Sequence, residues 1–134
     1  YHDVAIVMLA REGGEDKEMM MKDPEGISAL SLHQDEKDLL QMIKDSGKFR
    51  KIIVVVNSGY AMELQEMIDL GVDAILWVGY PGSYGMIGVA QMLMGKADPS
   101  GRNVITYAAN SLSSAAMHLL HGTTFLFFYI CLSL

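Results

Sequence analysis

Val4-Ala5-Ile6-Val7-Met8-Leu9-Ala10 runs directly into Arg11-Glu12-Gly13-Gly14-Glu15-Asp16. The first stretch is short, apolar and unbroken, the pattern of a parallel strand covered on both faces. The second is a glycine turn crowded with carboxylates. Ligands of parallel α/β sheets bind outside the carboxyl ends of the strands. Glycine permits the sharp turn and the close approach that such a place needs. Glu15 is therefore the first residue to weigh for chemistry.

Two further runs downstream, Ile52–Val56 and Ala74–Val78, repeat the buried-strand pattern. Between the first two, Ser31-Leu32-His33-Gln34 matches an S-x-x-Q capping box, which places Ser31 at a helix N-cap. Leu39, Leu40, Met42 and Ile43 follow at helical spacing, and Gly47 marks the stop. A second helix is expected over about 61–70, with Leu64, Met67 and Ile68 inward and Gly71 closing it. A third is expected over about 84–94, with Ile87, Ala90, Gln91 and Met94 on one side. A short strand, 103–107, follows the Asp98-Pro99-Ser100-Gly101 turn. The alternation predicts an α/β fold: a doubly wound, mostly parallel sheet with helices on both faces, an α/β sandwich. The long connection from Arg11 to Leu30 stands out, because connections of that length are usually functional or mobile.

Composition narrows the classes. The 134 residues suit one domain, and a 51% hydrophobic content is enough for a core. A net charge of −6 leaves no basic patch for phosphates, so nucleic acid is not an expected partner. The single Cys131 forms no intrachain disulfide and no cysteine metal site. The methionines read as core filler. Tyr1-His2-Asp3 enters the strand with no signal-peptide pattern. The longest apolar run, Phe125 to Leu132, falls far short of the roughly 20 residues that span a bilayer, so no membrane partner is expected.

Parallel strands bring three glycine turns to one rim: Arg11–Asp16, Asn57-Ser58-Gly59-Tyr60 and Gly79-Tyr80-Pro81-Gly82-Ser83-Tyr84-Gly85. Ordinary turn chemistry accounts for such glycines as well as a binding surface does. None matches a nucleotide motif, and no cofactor is expected. A carboxylate enclosed by a partner surface has its pKa raised by desolvation. One still protonated near neutral pH can protonate a leaving-group oxygen. A solvated acidic loop explains Glu12, Glu15, Asp16 and Glu18 equally well from pattern alone. His118 and His121 are spaced for a metal but have no carboxylate nearby. Trp77, on a buried strand, reads as core, whereas Tyr80 is the better ligand contact.

Several ordered segments resemble the C-terminal α/β sandwich domain of glycoside hydrolase family 3, the β-glucosidase family. They are Ala5–Leu9 with Arg11-Glu12-Gly13-Gly14-Glu15, Leu30-Ser31-Leu32 leading into Glu36–Leu40, Ile52–Gly59, Ala74–Gly82, and Gly95–Arg102. The likeness runs from about Asp3 to about Met117, giving a partial domain over 1–117 and a divergent apolar tail over 118–134. Asp16 stands where the family commonly has glycine, and Ser83-Tyr84-Gly85 where many members have a Gln-Glu-Gly-like segment.

The resemblance implies retaining hydrolysis of β-glycosides. Glu15 matches the acid/base glutamate and Arg11 the arginine before it, and Arg11 and Tyr80 are the expected substrate contacts. The nucleophile would lie in an N-terminal TIM-type barrel, so the chain alone is expected to be inactive. An uncovered sheet edge or face predicts self-association. A non-catalytic carbohydrate-binding or assembly module is the alternative, with a small-molecule regulatory domain third.

Overall fold

The computed structural model describes residues 3–13, 28–103 and 107. Strands and helices alternate as β1 (Val4–Ala10), α1 (Gln34–Asp45), β2 (Lys51–Asn57), α2 (Gln65–Asp69), β3 (Ala74–Trp77) and α3 (Gly82–Leu93). The sheet order is β1-β2-β3, and both pairings are parallel. Val4 is opposite Lys51 and Ala10 opposite Asn57, while Ile53 to Val56 run beside Ala74 to Trp77. This is the expected α/β sandwich architecture, with the strands within a residue of the spans the apolar runs predict.

Side chains alternate across a strand, so Val7, Leu9, Ile52, Val54 and Val56 share one face. There they form a single core with Leu32, with Leu40 of α1, with Met62 and Leu64, and with Met67 of α2. Each such side chain stabilises the fold by about 1.5–3 kcal/mol when fully buried. On the opposite face Val55 is also fully buried. β1 departs from the expected double cover. Val4, Ile6 and Met8, on its second face, are 42%, 53% and 49% exposed. β1 is an edge strand of the described sheet, and the cover over Val55 does not extend to it.

The helix starts need correction. α1 begins two residues later than predicted, with His33 rather than Ser31 as N-cap. Glu36 accepts the His33 N–H at 2.9 Å. Ser31 is engaged elsewhere, its hydroxyl and its N–H both donating to the Ser28 carbonyl. Gly47, at φ +60°, takes the left-handed position after the last turn that glycine fills without strain. α2 is shorter than predicted because the chain before it is irregular, with Glu63 N–H donating to Leu30 O at 2.8 Å. Met67 points inward as expected, whereas Ile68 is 46% exposed. The predicted common side of α3 faces solvent at Ile87 and Met94, and Val89 is the buried residue. Residues 104–106 of the predicted fourth strand, most of the long connection and the whole 118–134 tail lie outside the described residues. Tyr107 packs against the core.

Candidate active-site rim

The parallel register carries the ends of all three strands to the same edge of the sheet. Two backbone bonds continue the ladders past the last strand residues: Arg11 N–H to Asn57 O and Val78 N–H to Val56 O, both 3.0 Å. Beyond them, Gly13, Gly59 and Tyr80 meet. A Cβ on Gly13 would overlap the Tyr80 hydroxyl and stand 2.8 Å from Cε2 of Tyr60. A Cβ on Gly59 would stand 2.6 Å from Cε2 of Tyr80. Real Cβ atoms do not come so close, so the two glycines admit the tyrosine ring against the backbone. The predicted convergence of the three turns is therefore present, and Tyr80 is its centre.

Tyr80 remains 55% exposed while lying on this glycine surface. Trp77 joins the same rim. It is 41% exposed rather than core, and its indole N–H donates to Ser58 O at 2.7 Å. Ser58 is fully buried; its hydroxyl donates to Tyr60 O and accepts the Tyr60 N–H. This local turn presents Tyr60 beside Gly13. Tyr60 has no motif to announce it, and only its place two residues past Ser58 could have flagged it. Three aromatic rings with polar tips suit a ligand with both C–H and O–H faces, as a sugar has.

Arg11 is placed otherwise than a free ligand-binding arginine. Its guanidinium forms a bidentate pair with Glu36, 2.6 Å on each side. Its remaining donors reach Ala29 O at 3.1 Å, Ala10 O at 2.9 Å and Ser31 O at 3.0 Å. An arginine has five N–H groups, and here all five have acceptors within the chain. The side chain is only 10% exposed. Burial alone would raise the Glu36 pKa. The hydrogen bonds from Arg11 and from the His33 N–H, with the nearby guanidinium charge, outweigh that and hold it below the usual value. Glu36 thus caps α1 and pairs Arg11 at once. No motif announces this pairing, because nothing local in the sequence links residues 11 and 36. Glu15 lies outside the described residues, between Gly13 and Ser28, which are described.

A profile of the glycosyl hydrolase family 3 C-terminal domain matches residues 1–123. The chain belongs to this family. Among curated proteins it is 30% identical over 108 residues to "Probable beta-D-xylosidase 6" of Arabidopsis thaliana, covering 81% of this chain and 14% of that protein. It is 27% identical over 100 residues to "Beta-glucosidase" of Ruminococcus albus, covering 75% and 10%. It is 30% identical over 103 residues to "Xylan 1,4-beta-xylosidase" of Xylanibacter ruminicola, covering 75% and 12%. The family 3 domain described here thus spans between 10% and 14% of the length of these relatives.

Proposed function

We propose that this domain supplies the general acid/base of a retaining β-glycoside hydrolase, with Glu15 as the proton-transferring group. The observation that carries this reading is the junction of Gly13, Gly59 and Tyr80 at the carboxyl rim. The strand-end turn that leads to Glu15 runs under an exposed aromatic ring there. Tyr80 is the stacking surface for a sugar ring in this reading. The nucleophilic carboxylate comes from a TIM-type barrel partner, since a retaining mechanism needs two carboxyl groups about 5–5.5 Å apart across the scissile bond. The chain by itself is accordingly inactive. Apart from a barrel, the exposed Val4–Ile6–Met8 face favours self-association, and a strict monomer by light scattering would contradict that.

The glycoside is a β-glucoside or a β-xyloside. The family resemblance favours the first, while relatives named xylosidases favour the second. Hydrolysis of p-nitrophenyl β-glucoside and β-xyloside by the full-length protein separates the two. Glu15→Gln should lower kcat on the preferred substrate by about 10²–10⁴-fold, the usual range for a general acid/base. Unchanged turnover in Glu15→Gln would sink its role. Tight glycoside binding by this chain with no barrel would favour the non-catalytic carbohydrate-binding module instead.

A further inference from the structure

The two ends of the connection that contains Glu15 are held by one side chain. Arg11 precedes it, Ala29 and Ser31 follow it, and both of their carbonyls accept from the Arg11 guanidinium. Glu36, in the first turn of α1, fixes that guanidinium in a plane by its bidentate pair. Bidentate arginine–carboxylate pairs impose orientation as well as attraction. The first turn of α1 is in turn anchored, because Glu66 of α2 accepts the Leu32 N–H at 3.3 Å and pairs with Lys37 at 2.6 Å. A rigid path therefore leads from two helices to both ends of the Glu15 segment.

We infer that Arg11 and Glu36 are positioning residues for the acid/base step, and that Arg11 is not a sugar contact. The inference rests on the proposed role of Glu15. A sugar hydroxyl reaching Arg11 would have to displace a protein acceptor, because every donor is used. Lysine cannot replace it, since a single ammonium has no planar fork to serve Glu36, Ala29 and Ser31 together. Glu36→Gln keeps the size and one acceptor but removes the charge that orients the fork.

The test exploits the leaving group. A 2,4-dinitrophenolate departs without a proton, whereas phenolate departs poorly unless it is protonated. In the full-length protein, Arg11→Lys and Glu36→Gln should each lower kcat/KM on the phenyl β-glycoside by about tenfold or more, and on the 2,4-dinitrophenyl glycoside by less than about twofold, the signature of impaired general-acid catalysis. Equal losses on both substrates with a raised KM would make Arg11 a sugar contact and overturn the inference. Equal losses with unchanged KM would make the pair merely structural and overturn it too, as would no loss at all.

Glu15→Gln run in parallel separates the two claims. If it shows the selective loss and Arg11→Lys does not, positioning fails and the Glu15 role stands. If Glu15→Gln shows no selectivity, or the full-length protein hydrolyses neither glycoside, the Glu15 role itself fails. A second measurement needs only this chain. Amide exchange at Ser31, Leu32 and His33 should quicken in Arg11→Lys while Val54 to Val56 stay protected. Unchanged exchange at all six would remove the clamp on which positioning depends.

Discussion

The two ends of the same three strands are built in opposite ways. At the amino end, charge and backbone close the sheet. Asp3 O accepts from both Arg50 N–H and Lys51 N–H, at 2.8 and 3.1 Å. Asp73, just before β3, takes the Ile52 N–H at 2.8 Å and the Lys51 ammonium at 2.6 Å. It also donates its own N–H to Ile52 O. These bonds tie β1 to β2 and β2 to β3. At the carboxyl end, the backbone turns on glycine, aromatic rings lie partly exposed, and the Arg11 side chain secures the two ends of the connection between β1 and α1. The contrast separates the end that sets register from the end that can receive a ligand.

The sharpest way to break the contrast is to remove its buried charge. Arg11→Met leaves the largely buried Glu36 with no counter-charge and frees three carbonyls, those of Ala10, Ala29 and Ser31. It should cost about 3 kcal/mol, the low end for stranding one partner of a buried pair. Asp73→Asn at the other end should cost only about 1 kcal/mol, the worth of a hydrogen bond to a partly exposed group, and leave glycoside turnover unchanged. Urea unfolding followed by circular dichroism measures both. Comparable costs at the two ends would erase the distinction.

Acidity sharpens it further. The Lys51 hydrogen bond, then the Ile52 N–H, hold the Asp73 pKa below its usual value, as Arg11 and His33 hold that of Glu36 despite its burial. A depressed folded pKa stabilises the fold above the unfolded value, about 3.9 for Asp and 4.3 for Glu. That stability is lost as pH falls through the lowered folded values. The penalty of Arg11→Met should therefore shrink in acid below about pH 4.3. A penalty constant down to acid unfolding would mean that Glu36 is not its source.

The smallest expected effect comes from Gly59→Ala. The new Cβ would meet the Tyr80 ring, and that ring can swing into solvent instead of straining the backbone. A stability loss of about 1 kcal/mol or less is expected, with weaker sugar binding as the larger consequence. Unchanged affinity for a glycoside would take Tyr80 out of the site.

What the sequence revealed, and what it hid, follows from range. The strands were legible because β-branched apolar runs ended by glycine turns have few other uses, and Val4–Ala10 is one of them. Helix starts were less so. Ser31-x-x-Gln34 satisfies the capping pattern, yet Ser31 is taken by the turn on Ser28, and the box forms at His33 and Glu36 instead. Leu64 keeps a helical spacing to Met67 and Ile68, yet the residue before it, Glu63, bonds through its N–H to Leu30 O. The exposure of Trp77 depends on what covers the strand end, which composition cannot state. Of the rim, the convergence of the three turns was legible, and Tyr80 lies where they meet. The Arg11–Glu36 pair joins residues 25 positions apart, and no local pattern encodes such a contact.

The central claim is that the turn after β1 delivers a proton donor. The pH profile of kcat/KM for aryl β-glycoside hydrolysis by the full-length protein tests it most directly. A bell reports one acid and one base in the free enzyme. With Glu15→Gln the alkaline limb should vanish, leaving a low rate that no longer declines as the acid loses its proton. A bell of the same shape in Glu15→Gln would contradict the account.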